Sequence, residues 1–222
     1  PRTPTEMTLE DIARVKADFV KAAERARDVG FQWLMLHFAH GYLAQSFFSP
    51  DANKRTDQYG GSAENRGRFL VETLEAVREV WPDNLPLTIR FGVIEFNGHD
   101  DENLHDSVSL LKKLKESGLD FLDVSIGFCT PEAQIPWGPA FMAPYAHQIK
   151  QETALPVSTS WYISDGRQAD ALIRTGTLDT VSLGRPLLAD PHWPYVAARA
   201  VHKKQPADVL PPPYGWWLNR YQ

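Results

Sequence analysis

Apolar positions along the chain alternate between two rhythms. From Leu9 to Val29, Ile12, Val15, Phe19, Val20, Ala23 and Ala26 recur at helical spacing. Thr8 stands where an N-cap is expected, Asp11 supplies a first-turn carboxylate, and Gly30 closes the helix. Phe31 to Leu36 is a short apolar run of the kind that forms a buried strand, and a long loop from His37 to about Ser62 follows. Ser62, with Asn65 and Arg66, opens a second helix from Ala63 to Val80, which Trp81-Pro82 stops. The rhythm then repeats. Strands are expected at Leu87–Phe91, Phe121–Ser125, Pro156–Ser160 and Thr180–Leu183, and helices at Asn103–Glu116, Phe141–Gln151, Gly166–Thr175 and Pro194–Val201. Strands that alternate with helices pair in parallel through right-handed crossovers, and near-continuous apolar strands are covered on both faces. Five strands fit an open doubly wound sheet. They also fit the larger part of a (β/α)8 barrel, which needs eight strands and roughly 250 residues, although the pattern alone slightly favours the open sheet because that requires no missing piece.

Composition narrows the function without naming it. The 222 residues are 43% hydrophobic and 23% charged, with a net charge of −5 and no basic stripe, so nucleic acid and anionic membrane surfaces are not expected partners. No apolar run approaches the roughly 18–20 residues of a bilayer span, and Pro1 to Glu10 lack the apolar core of a signal peptide. Cys129 is the single cysteine, which rules out an internal disulfide or a multi-cysteine metal site and suits a reducing cytoplasm. Seven Trp, seven Tyr and eleven Phe suit a flat-ligand pocket or a subunit interface.

The candidate chemistry stands behind the strands, where parallel α/β proteins place their sites. His37, His40 and Tyr42 follow the first strand. Imidazole N–H groups can hold an oxygen that gains negative charge, and a phenol can deliver a proton. Arg90 lies near the end of the second strand, Ser158-Thr159-Ser160-Trp161 in and behind the fourth, and Gly184-Arg185 behind the fifth. A buried Arg needs an anionic partner, and a Gly-Arg pair offers a backbone N–H and a guanidinium to a phosphate. The histidine pair also leaves open a metal-dependent α/β hydrolase, although no third ligand of suitable spacing is evident.

His37-Phe38-Ala39-His40-Gly41-Tyr42, Phe48-Ser49-Pro50, Asn53 to Ser62 with Asn65-Arg66 and Arg68-Phe69, Arg90-Phe91-Gly92, Gly176 to Asp179 and Gly184 to Pro191 together resemble the Old Yellow Enzyme family of FMN-dependent reductases, most of all its xenobiotic-reductase subgroup. The resemblance runs from about Thr8 to the end of the chain, and the Asn53–Phe69 stretch is its most specific part. It implies a partial (β/α)8 TIM barrel: residues 1–222 as one C-terminal part of an FMN domain holding strands four to eight, with the N-terminal strands absent and 203–222 an aromatic tail. It implies reduction of activated C=C bonds in enones, and of nitro compounds, with NADPH or NADH as reductant. By motif position, His37 and His40 polarise the substrate oxygen, Tyr42 protonates the α-carbon and Arg90 faces the N1/O2 side of the flavin. Gly184, Arg185 and the backbone of Ser160, Trp161 and Tyr162 meet the phosphate, and Trp161 also walls the substrate pocket. Trp216 and Trp217 resemble a tail that reaches a neighbouring subunit's site, which implies a homodimer with Trp217 against substrate. An inactive half-barrel is the alternative from another functional class.

Two positions depart from the family pattern. Met35 stands where a Glu is usual, so a buried cation loses a carboxylate. Tyr162 stands where the subgroup commonly has Gly, whose lack of a Cβ lets the backbone approach a phosphate. The Asn53–Ser62 loop is expected to act structurally, and Cys129 as an inert small hydrophobe.

Overall fold

The structure, a computed structural model, describes residues 5–221, so the ends of the expected 1–222 span, residues 1–4 and Gln222, lie outside the described residues. The chain divides into two compact units, one reaching Ile135 and including Ile149–Pro156, the other made of Pro136–Gln148 and the residues from Val157 on.

The first unit is built on three parallel strands: β1 (Leu34–Phe38), β2 (Leu87–Ile94) and β3 (Phe121–Ile126). Four helices accompany them: α1 (Leu9–Asp28), α2 (Leu43–Phe48), α3 (Ala63–Arg78) and α4 (Asp100–Glu116). Thr8 caps α1 as expected, its hydroxyl accepting from the Asp11 N–H while Asp11 accepts from the Thr8 N–H, a closed capping box. Ser62 caps α3 with its hydroxyl alone, which accepts from the Asn65 N–H. The packing joint is aromatic: Phe47 stacks on Phe69 with centroids 4.5 Å apart, and Phe19 of α1 meets both Phe69 and Phe38 edge-on. Phe38 and Phe69 are fully buried there.

Register fixes what lies on the other face of the sheet. His37 pairs with Arg90 and Arg90 with Asp123, so these three side chains share one level across the three strands. One level below are Met35, Thr88 and Phe121. On β1 this face is open: Met35 and His37 are exposed, as is Trp33 just before the strand, while Leu36 and Phe38 are buried.

Several boundaries differ from those the sequence predicts. The first strand begins at Leu34 rather than Phe31, because the Phe31 N–H still reaches back to the Ala26 carbonyl as part of the helix stop. It continues through His37 and Phe38, which pair with Arg90 and Phe91. Helix α4 starts at Asp100, three residues early, with Asp100, Asp101 and Glu102 placed favourably at the positive end of its dipole. The expected loop after His37 contains α2, too short to show a period. Its Gln45 is almost fully buried: the side-chain amide donates to the Gly92 carbonyl and accepts from the Gly92 N–H, both at 3.1 Å. Gly92 lies where the β2–β3 register shifts, and Gln45 supplies the backbone pairing that a neighbouring strand would otherwise give.

The second unit holds β4 (Val157–Thr159), α6 (Gly166–Arg174), α7 (Arg185–Ala189), α8 (Trp193–Ala200) and α9 (Pro212–Leu218), together with the first part of α5 (Ala143–Thr153). Thr180–Leu183 is not a regular strand. The N–H groups of Asp179 and Ser182 do reach the Val157 and Thr159 carbonyls at 3.0 and 3.2 Å, the one-sided trace of a parallel pairing. The 203–222 segment carries a 3₁₀ turn, Pro206–Val209, before α9. No helix among the described residues is long and apolar enough to cross a membrane.

Replacing Gln45 by Ala should leave both backbone groups of Gly92 buried and unpaired. Each such group costs about 1–3 kcal/mol, so chemical denaturation should show a loss of about 2–6 kcal/mol. An unchanged midpoint would refute the bridging role.

Candidate functional site

In the first unit, the ends of three strands bring the predicted residues together. The rings of His37 and His40 lie 5.0 Å apart and that of Tyr42 lies 5.4 Å from His37. His37 projects from β1 itself. His40 sits in the turn behind it with φ +63°, a left-handed conformation that folds its side chain back towards the sheet. Tyr42 precedes the first residue of α2 and is exposed, free to reach a small molecule. Arg90 is at the level of His37, with its Nε 3.0 Å from the carboxylate of Asp123. Asp123 is almost completely buried.

The carboxylate facing the strand-end cation is Asp123, two strands away from position 35, and Met35 is itself exposed. The charge balance of Arg90 therefore does not depend on a carboxylate at position 35. In the sequence Asp123 shows only as an acidic residue inside an apolar strand, a signal that does not name its partner.

Both imidazoles are kept neutral. Burial lowers the His37 pKa first and the Arg90 charge adds to it, with Asp123 opposing. Burial again leads at His40, followed by Arg90 and His37, and takes it to about 4. The Nε2 of His40 lies 2.7 Å from the hydroxyl of buried Ser125. Neutral imidazoles beside a fixed guanidinium form a polarising pocket for an oxygen atom: each ring offers one N–H, and Arg90 supplies the positive potential. Among the described residues no group of three or more His, Cys, Asp or Glu side chains is arranged to hold a metal, so the pair lacks the further ligand that a hydrolytic metal site requires. Cys129 fits the inert role, its thiol pushed up to about 12 chiefly by burial.

The Asn53–Ser62 loop has the structural role expected of it. The Asn53 amide donates to the carbonyls of Phe47 and Tyr59, Arg55 pairs with Asp57, and the Tyr59 hydroxyl donates to Glu72. The loop thereby holds the far end of α2, whose near end carries Tyr42.

In the second unit, Trp161 and Tyr162 follow β4 and join Trp137 and Phe141 in one aromatic cluster, with ring centroids 5.5–6.3 Å apart. Trp137, half-exposed, carries no motif that marks it in the sequence. The guanidinium of Arg185 lies 5.9 Å from the centre of the Tyr162 ring. Tyr162 has φ +53°, so the tyrosine keeps the left-handed backbone that a glycine would adopt without strain. Gly184 is exposed, with open space where a Cβ would stand. Ser160 is half-buried behind β4. Trp216 and Trp217 meet edge-on at 4.4 Å on α9, both exposed, and Arg220 covers Trp216.

The depressed pKa of His40 has a consequence for stability. In the unfolded chain a histidine takes up its proton near pH 6.5, whereas His40 in the fold resists until about 4. Stability contributed by this residue is thus complete above about pH 6.5 and declines as the pH falls towards 4. An NMR titration should place the His40 midpoint near 4, and a midpoint near the ordinary 6.5 would contradict the burial argument.

Known proteins place this geometry in a family. Residues 1–204 match the NADH:flavin oxidoreductase / NADH oxidase family. An NADPH dehydrogenase of Geobacillus thermodenitrificans is 42% identical over 207 residues, 93% of this chain and 60% of that protein. The chain therefore spans about 60% of the length of such curated relatives. Morphinone reductase shares the fold at a TM-score of 0.75 and 28% identity, over 90% of this chain and 52% of the reductase. A 2-naphthoyl-CoA reductase in complex with 2-naphthoyl-CoA does so at 0.80 and 25% identity, over 92% of this chain and 31% of the enzyme. The parallel α/β architecture is part of the TIM barrel of these proteins. The chain belongs to the NADH:flavin oxidoreductase / NADH oxidase family, that of the Old Yellow Enzyme, and membership implies FMN and NAD(P)H as its cofactors.

Proposed function

We propose that these residues serve an FMN-dependent, NAD(P)H-oxidising ene-reductase of the xenobiotic-reductase kind, acting on activated alkenes such as enones and on nitro compounds. The observation that carries this reading is the meeting of two neutral imidazoles, a phenol and a carboxylate-anchored guanidinium at the ends of parallel strands. Each group of residues, taken by itself, suits one part of a flavin. Arg90 would offset negative charge on the ring system, and Arg185, Gly184 and the backbone of Ser160, Trp161 and Tyr162 would hold the phosphate, where the open space at Gly184 favours close approach. When bound, FMN supplies to the alkene the hydride that NAD(P)H first delivers.

All the remaining chemistry falls to the protein. His37 and His40 donate N–H groups to the carbonyl or nitro oxygen, drawing electron density from the C=C bond and stabilising the charge that gathers on that oxygen. Neutrality suits this role, because an imidazole that stays neutral at working pH holds the oxygen without surrendering its proton to it. Tyr42, exposed beside His37, donates its phenolic proton to the α-carbon. Trp161, in its aromatic cluster, offers a flat wall to conjugated substrates. Trp217 is exposed on α9 and, in a homodimer, would be available to a second subunit's substrate.

Tyr42→Phe should slow alkene reduction by about 100-fold or more while leaving reduction of the flavin by NADPH near normal, as read by stopped-flow absorbance of each half-reaction. An equal fall in both half-reactions would remove Tyr42 from the proton-donor role. His37→Ala combined with His40→Ala should weaken phenol binding by about 100-fold, and unchanged affinity in a spectral titration would contradict the oxygen clamp.

A further inference from the structure

Glu95 lies one residue beyond β2 and is 3% exposed, yet it belongs to none of the functions above. Its Oε2 accepts the N–H of Cys129 at 2.9 Å. Its Oε1 is buried with no hydrogen-bond partner and sits only 2.0 Å from where a Cβ on Gly127 would stand. Any side chain at position 127 would collide with the carboxyl group, so the close approach of Glu95 to the chain requires glycine there. Burial, the leading influence, raises the Glu95 pKa, which favours the neutral carboxyl group and lowers the cost of enclosing it.

What Glu95 grips is the turn Gly127–Cys129 behind β3, and the partners of that turn at the end of β1 are His40 and Gly41. The Phe128 ring meets the His40 ring edge-on at 5.7 Å. The Phe128 carbonyl oxygen lies 2.7 Å from where a Cβ on Gly41 would stand, so the two turns interlock. Immediately before the turn, the Ile126 carbonyl accepts the His40 N–H at 3.2 Å and the Ser125 hydroxyl meets His40 Nε2. His40 thus takes a backbone anchor, a ring contact and a polar contact from Ser125–Phe128. Both His40 and Phe128 have positive φ, a conformation costing about 1–2 kcal/mol each that persists only where the surroundings impose it.

We propose that Glu95 is a positioning residue for His40, acting through the Gly127–Cys129 turn that its carboxyl group pins. A carboxyl group that merely filled space would be replaceable by an apolar side chain. One that positions the turn must keep an acceptor for the Cys129 N–H, a role a glutamine can fill. The inference deepens the proposed oxygen clamp and rests on that reading only for its catalytic consequence.

The test is NMR of the histidine rings in this chain, with no flavin or substrate added. In Glu95→Ala, the His40 ring signals should move and its ionisation midpoint should shift upward from about 4 as the ring gains solvent, while Glu95→Gln should retain the parent signals. If Glu95→Ala does not fold, Glu95→Leu, which keeps the bulk without the acceptor, is read in its place. Unaltered His40 signals in a folded Ala or Leu variant would overturn the proposal, as would a Gln variant that disturbs His40 as much as Ala does. Displaced His40 signals accompanied by unchanged phenol affinity in the FMN-loaded protein would sustain the positioning role and count instead against the oxygen clamp.

Discussion

The site depends on one constraint, the register of three parallel strands that sets His37, Arg90 and Asp123 side by side. A slip of one residue in either pairing would turn one of these side chains to the helix-covered face. The Arg90–Asp123 ion pair both results from that register and protects it, because a guanidinium left without its carboxylate in a half-buried position is costly. Around this pair the chemistry follows from elementary electrostatics. A fixed positive charge and partial burial disfavour the imidazolium form of both histidines, and the left-handed backbone at His40 aims its ring.

Buried polar groups outside the chemistry maintain this arrangement. Gln45 stands in for missing backbone pairing at Gly92, where the β2–β3 ladder shifts. Glu95 pins the turn behind β3, and Ser125 meets the imidazole of His40. The Asn53–Ser62 loop ties the far end of α2 through Asn53 and Tyr59. Each is a polar side chain with defined partners inside an apolar setting, the circumstance in which a single geometry is strongly favoured over near alternatives. The open face of β1, with exposed Trp33 and Met35, is the exception: its alternation reads as a face meant for cover.

Much of this was legible in the sequence because it rests on local rules. The N-cap at Thr8, the stop at Gly30 and the apolar β2 and β3 runs emerge from propensity and periodicity. His37, His40, Tyr42 and Arg90 could be nominated because chemically active residues follow apolar strands. What stayed hidden depends on partners distant in the chain. Nothing local marks Asp123 as the counter-charge of Arg90, Gln45 as a backbone surrogate or Glu95 as a clamp on position 127. Helix α2 is too short to reveal a period, and the Thr180–Leu183 run meets its expectation only in hydrogen bonds to β4. The histidines alone also permitted a metal site, a possibility narrowed by the ligand set around them rather than by their spacing.

In the proposed site, two neutral imidazoles backed by Arg90 grip an oxygen atom carrying negative charge. Affinity measured across para-substituted phenols of graded acidity, on the FMN-loaded protein at one pH, tests it most directly. Binding should tighten steadily as the phenol becomes more acidic, because the proposed site rewards charge on the oxygen. Affinity that follows the size or hydrophobicity of the substituent, with no dependence on acidity, would contradict it.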